Sequence, residues 1–173
     1  MFFINKKKYL KVNKLYNTIF LLSRNKFLYQ KMKIPDSFYT RIYLIFFHLS
    51  FLLIQLKKFN IYGKNLSQIV FDYTFLQIET NMRELAYGDV TVNKNMRSLT
   101  KLFYDILLQC ESFQTLSVLK KKLLIKRFFS PASEPKDEFL SILVEYFDKY
   151  RKFTINLSLN RIEKGDINFS YFK

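Results

Sequence analysis

Apolar residues along this chain recur at helical spacing over most of its length. Leu10, Leu15, Ile19 and Leu22 share one face over residues 9–24, with Lys11 and Lys14 off that face. Pro35-Asp36-Ser37 then reads as a start signal, with Asp36 or Ser37 capping an apolar helix that runs to about residue 58. Asn60-Ile-Tyr-Gly63 reads as its break. A helix over residues 66–87 follows, with Ile69 or Val70, Tyr73, Leu76 or Gln77, Thr80 and Leu85 in core register. Gly88 is placed as its left-handed C-cap. Asp89 to Asn93 reads as a connection, with Thr91 and Asn93 as candidate N-caps of a helix over 94–111. The inward face of that helix is Met96, Leu99, Phe103, Ile106 or Leu107, and Cys110. Thr115 or Ser117 opens another helix, ending near residue 128.

Residues 130–135 hold two prolines and form the clearest linker. Ser133 then caps a helix over 134–153, with Glu134, Asp137 and Glu138 where the helix dipole favours acids. The tail alternates as a strand would over 153–160 and again over 167–171; a hairpin and a short helix ending at Gly165 are both consistent with it. The expected fold is all-α: one domain over 1–173, a bundle of about five to six helices with a short, extended or hairpin tail. Three glycines and three prolines in 173 residues leave too few breakers for a many-turned β fold.

Two segments could pass for membrane or targeting signals. The run over residues 42–56, IYLIFFHLSFLLIQL, is shorter than the roughly 20 residues a span needs, and His48, Ser50 and Gln55 interrupt it. A buried core helix with no transmembrane role is expected. The basic N-terminal segment, 1–34, holds no acid before Asp36, but it lacks the apolar core and cleavage site of a secretory signal and reads as mature protein.

Charge changes the picture more than composition does. Twenty-nine Lys and Arg against fourteen Asp and Glu give +15, which draws the chain toward phosphate-rich surfaces, lipid or RNA. Twenty-two of the 29 are Lys, and abundant Lys, Asn, Ile, Phe and Tyr together point to an AT-rich genome, so only part of the charge reads as functional. One cysteine, Cys110, and one histidine, His48, fit a reducing compartment and exclude a Cys/His zinc site. Both lie in apolar helical runs and read as packing residues. No glycine-rich phosphate loop, nucleophile elbow or paired-histidine metal motif is present, so a non-enzyme is expected. Glu79 and Arg83 read as a surface helix pair.

What stands out is residues 81–104. Arg83 and Glu84 end one helix, Asp89 lies in the turn, and Lys94 and Arg97 open the next. Bases at a helix N-terminus are unfavourable. Either they pair across the corner and fix the angle between the helices, or a partner supplies negative charge; the two readings are compatible. The two clusters Lys6, Lys7, Lys8, Lys11, Lys14 and Lys120, Lys121, Lys122, Lys126, Arg127 read either as solvated faces or as docking sites for anionic headgroups or RNA.

The run Phe71-Asp72, Met82-Arg83-Glu84, Gly88-Asp89, Val92, Lys94, Met96 and Phe103-Tyr104 resembles the ubiquinol–cytochrome c chaperone family, most closely over residues 41–108. The patch over residues 47–50, Phe-His-Leu-Ser, is similar to that family as well. The resemblance implies a helical assembly factor, of bacterial or mitochondrial type, that associates with newly made cytochrome b and helps build complex III. It further implies a second assembly factor and ribosome contact as partners, and a place on an anionic membrane surface, at the bacterial cytoplasmic face or the mitochondrial matrix face. Arg83, Glu84, Gly88, Asp89, Lys94, Met96 and Tyr104 are then the candidate partner-binding or corner-locking residues. No cofactor is expected, since His48 and four methionines are a thin inventory for haem ligation. Many relatives have Gly where this chain has Ala86, and Gly-Arg where it has Asp105-Ile106. A basic RNA-binding module and a scaffold subunit of a membrane complex are the competing readings.

Overall fold

The computed structural model describes residues 6–129 and 137–171. In chain order its helices are α1 (Lys6–Ser23), the short α2 (Lys26–Gln30), α3 (Phe38–Leu56), α4 (Asn60–Glu84), α5 (Asp89–Glu111), α6 (Val118–Phe129), α7 (Asp137–Thr154) and the short α8 (Leu159–Glu163), with a 3-10 turn at Lys57–Phe59. Six long helices make a single all-α domain, and among the described residues no strand forms. The expected linker over 130–135 and the Ser133 cap lie outside the described residues.

The apolar run after Pro35 is the centre of the fold. Ser37 caps it, its hydroxyl accepting from the Thr40 amide at 3.1 Å, while Asp36 instead holds Arg41 at 2.5 and 2.7 Å. Fourteen of the nineteen residues of α3 are buried, and α1, α4, α5, α6 and α7 all pack on it. At 100° per residue, consecutive side chains face different neighbours. Phe46 stacks with Phe75 of α4 and meets Phe103 of α5 edge-on, at centroid distances of 5.5 and 5.2 Å. Phe47 faces Phe128, Phe129 and Phe147, on α6 and α7. His48 faces Tyr146 and Tyr150 on α7. By length and hydropathy an 18-residue window in the Phe38–Glu84 segment would qualify as a membrane span, but 72% of that window is buried inside the fold.

Two helix starts lie earlier than the sequence pattern indicates. The break expected at Asn60–Gly63 is one turn upstream: Lys57–Phe59 forms the 3-10 turn, Asn60 takes a positive φ of 50°, and α4 begins there. Gly63 lies inside α4, where a Cβ would stand 1.9 Å from the Leu56 carbonyl oxygen. It is a point of close backbone approach, not a breaker. The buried face of α4 is Leu66, Val70, Thr74, Phe75, Ile78 and Met82. Thr80 and Leu85, expected inside, are exposed. Likewise α5 begins at Asp89 with Gly88 as N-cap, so the expected connection to Asn93 is already helix.

The tail forms a helix, not a hairpin. The Ser158 hydroxyl caps α8, accepting from the Arg161 amide, and Gly165 at φ 67° ends it. The Gly165 amide donates to the Ile162 carbonyl and the Asp166 amide to the Arg161 carbonyl, a Schellman closure. A helix satisfies these groups locally, whereas a lone hairpin would leave its edges unpaired. Gly165 also sits against α1, where Thr18 donates to its carbonyl at 3.0 Å and Lys14 reaches Asp166 at 2.8 Å. Residues 166–170 then run irregularly, with Ile167 buried and Phe169 against Tyr146 and Tyr150.

Two glycines expected from the pattern to act as breakers therefore differ sharply in what they tolerate. Gly63→Ala should destabilise by about 3 kcal/mol or more, because backbone must move to admit the methyl group. Gly88 has φ −66° and open space around its Cβ position. Gly88→Ala should cost less than about 1 kcal/mol. Urea unfolding of the two variants checks the order.

His48 gives the core a pH dependence. Its Nδ1–H donates to the Leu44 carbonyl at 2.6 Å and its Nε2 accepts from the Tyr146 hydroxyl at 2.8 Å, so the ring is held neutral. Burial lowers its pKa from 6.5 to about 4. The unfolded chain therefore takes up a proton that the folded chain refuses. Stability attributable to this residue is complete above about pH 6.5, falls as pH drops toward about 4, and levels below that. The loss is on the order of 3 kcal/mol. The difference in unfolding free energy between wild type and His48→Gln, followed from neutral pH to pH 4, should shrink by that amount.

Candidate functional site

The α4–α5 corner is closed by backbone before any side chain acts. The Ala86 amide donates to the Arg83 carbonyl at 2.9 Å and the Tyr87 amide to the Met82 carbonyl at 3.2 Å, again a Schellman closure. The residue on the left-handed side is Ala86, at φ 61°, not Gly88 as the pattern indicates. The position needs left-handed backbone, which costs a residue with a Cβ about 1–2 kcal/mol and which glycine would adopt without that cost.

Arg83 reaches both ways across this corner. Its guanidinium donates to Glu79 on α4, at 2.9 and 3.1 Å, and to Asp89, the first residue of α5. The hydrogen bonds it donates to Asp89 and then Glu79 raise its pKa further. All three groups are solvent-facing, so the bridge sets orientation more than it adds stability. Gly88 supplies the extended N-cap, and Met82 and Val92 close the interior of the corner, both fully buried. Glu84 is exposed, and Met96 is half-buried against the core. Tyr104 is half exposed, its ring 5.8 Å from Phe71 and 5.7 Å from Phe103.

The charges of α5 divide by direction. Its three acids are each held by another part of the chain: Asp89 by Arg83, Asp105 by Arg127 at 2.7 Å, and Glu111 by Lys57. Its three bases, Lys94, Arg97 and Lys101, are exposed and make no ion pair among the described residues. Pairing across the corner, one of the two readings open from sequence, thus engages Arg83 and leaves Lys94 and Arg97 out. Those two residues, with Val90, Asn93 and Ser98, line a surface hollow of about 460 Å³. A second hollow, of about 430 Å³, lies where the 3-10 turn meets α5 and is lined by Leu53, Lys57, Asn60, Lys64, Ser67 and Leu107.

The two lysine clusters fare differently. Side chains of Lys6, Lys7, Lys8 and Lys11 lie outside the described residues, while Lys14 pairs with Asp166. On α6, Lys121 is buried, holds Asp148 at 2.7 Å and sits over the Phe113 ring at 5.0 Å. Lys122 holds Asp137, Arg127 holds Asp105, and Lys126 also has a partner. Lys120 is exposed. The α6 cluster is thus largely a bracket between helices. Sequence spacing could not show this, because the acids on α5 and α7 that answer it are distant in the chain.

Among the described residues no group of His, Cys, Asp and Glu could hold a metal ion. Cys110 is buried, and desolvation pushes its thiol pKa up. What the surface offers is a rigid corner beside an unpaired cationic face.

Comparison with known proteins places this architecture. The family model for the ubiquinol-cytochrome C chaperone matches residues 30–169. Among solved structures, the crystal structure of the Cbp3 homolog from Brucella abortus superposes with a TM-score of 0.81 at 23% identity, covering 95% of this chain and 91% of that one. Among curated proteins, none matches the sequence.

The strain at the corner makes a prediction of its own. Ala86→Gly should raise the unfolding free energy by about 0.5–1 kcal/mol, relief of the left-handed penalty outweighing the added freedom of the unfolded chain. Denaturant unfolding measures it, and an equal loss would show that the position does not carry this strain.

Proposed function

Because this chain belongs to the ubiquinol–cytochrome c chaperone family, we propose that it binds newly made cytochrome b and holds it for assembly into complex III. The family match carries the reading, since it spans the α4–α5 corner and all five long helices from α3 to α7. The family is one of chaperones, and the work proposed is binding, not catalysis.

The physical features support such work. A membrane-protein client offers apolar helix surface near anionic lipid. A binder of that client needs exposed apolar side chains beside positive charge. Both are present on α5, where Val90, Tyr104 and Leu108 stand exposed beside Lys94, Arg97 and Lys101. A place on the membrane surface follows from the client: the cytoplasmic face of a bacterial inner membrane, or the matrix face in a mitochondrion. A second assembly factor and contact with the translating ribosome belong to the same proposal, as further users of a chain with a net charge of +15.

Affinity purification of the tagged protein, followed by mass spectrometry, should recover cytochrome b and early complex III subunits. Ribosomal RNA without cytochrome b would turn the reading to an RNA-binding module. Arg83→Ala and Asp89→Ala should lower assembled complex III. A fall with unchanged thermal midpoint makes the corner a contact site, and a parallel fall in midpoint makes it a frame for contacts elsewhere.

A further inference from the structure

The outward stripe of α5 has the composition of a surface that meets lipid. At 100° per residue, Val90, Lys94, Arg97, Lys101, Tyr104 and Leu108 fall within an arc of about 80° and span about 27 Å of helix. All six are exposed. The three cations have no ion-pair partner among the described residues, whereas every acid of the same helix is already held from the side.

A second exposed apolar patch lies on α6, which one ion pair ties to α5. Asp105, on the flank of the stripe by helical spacing, pairs with Arg127 of α6 at 2.7 Å, an ion pair that ties the two helices together. Leu123 and Leu119, one and two turns before Arg127, are 58% and 68% exposed, and Leu108, one turn beyond Asp105, is 65% exposed. Lys120, next to Leu119 in the chain, is exposed as well. Three exposed leucines and a tyrosine bordered by four unpaired or exposed bases is what an interfacial surface needs. Apolar side chains enter the headgroup boundary while ammonium and guanidinium groups stay at the phosphates.

We propose that this α5–α6 face docks the protein on an anionic bilayer, with Leu108, Leu119, Leu123 and Tyr104 entering the interface and Lys94, Arg97 and Lys101 bound to lipid phosphates. The unneutralised charge argues for an anionic surface, and the leucines argue for one with an apolar interior, which distinguishes lipid from RNA. The inference rests on the chaperone reading and deepens it by giving the exposed stripe of α5 to the bilayer rather than to the client itself, with Lys120 the one contribution from the lysine clusters.

The test uses the whole protein and vesicles of phosphatidylglycerol with phosphatidylcholine, against phosphatidylcholine alone. The chain has no tryptophan, so Leu119→Trp installs a single reporter. Wild type should bind the anionic vesicles at low salt and be released at high salt. The emission of Leu119→Trp should shift to the blue on binding and be quenched by brominated lipid. The triple variant Lys94→Gln, Arg97→Gln, Lys101→Gln should bind about a hundredfold more weakly with an unchanged melting curve. Vesicle binding by the triple variant at wild-type strength would overturn the proposal, as would bound Leu119→Trp with unshifted emission. So would capture of RNA or an acidic protein, but not vesicles, through these residues. Failure of wild type to bind vesicles, with cytochrome b still recovered on purification, would sink this inference and leave the chaperone reading standing.

Discussion

A helix that is apolar on every side must be enclosed on every side, and α3 is such a helix. With Phe46, Phe47, His48 and Phe51 aimed at different neighbours, no single partner can cover it. Five helices do so, and each of them needs only one apolar face. This sets the character of the surface. The outer faces of the surrounding helices are released from the core and carry the charge, and the same release leaves them open to contacts with other molecules. A run that by length and hydropathy could serve as a membrane span is here the buried axis of a helical bundle, and its one histidine is kept neutral by Leu44 and Tyr146.

Around that axis, α5 shows how ion pairs sort a helix surface. Its inner face, Leu99, Phe103, Ile106 and Cys110, belongs to the core. Its acids point sideways and are answered by Arg83, Arg127 and Lys57 from three other elements. Each such bridge is exposed and worth little in stability. Together they fix the rotation of α5, and fixing it directs Lys94, Arg97 and Lys101 outward. With α5 starting at Asp89, these bases lie beyond its first turn, where the helix dipole has little hold on them, and no ion pair among the described residues engages them.

The helices were legible because their signals are local. Ser37 does cap, residues 42–56 are buried core and not an exposed span, and the breaks between long helices fall within a few residues of their expected places. Where pattern and structure part, the reason is also physical. Glycine most often breaks a helix, and Gly63 and Gly88 invite that reading. The actual reason for Gly63 is the Leu56 carbonyl beneath it, a tertiary contact. The residue in the left-handed position is Ala86, which no propensity favours. The strand-like alternation of the tail was real, but α1 offers Thr18 and a backbone surface that fit a Schellman turn, and the helix wins. Of the candidate site, the Arg83–Asp89 bridge was legible because both residues flank one turn. The capture of Lys121 by Asp148 was not, with 27 residues between them.

The residues that identify the family and the residues best placed to touch a partner are consequently different sets. Met82, Arg83, Gly88, Asp89 and Val92 turn inward or toward one another to hold the corner, and a side chain saturated by its own protein has little left for a client. Such residues specify the angle at which α5 is presented. The residues presented, Val90, Lys94, Arg97, Lys101, Tyr104 and Leu108, include only two that carry the resemblance, Lys94 and Tyr104. The net charge of +15 is a poor guide to where contact occurs, since a lysine closed onto Asp148 or Asp137 contributes no unneutralised charge locally. Pairing, not abundance, decides which bases are available, and on α5 every acid is engaged from another element while its three bases stay exposed and unpaired among the described residues.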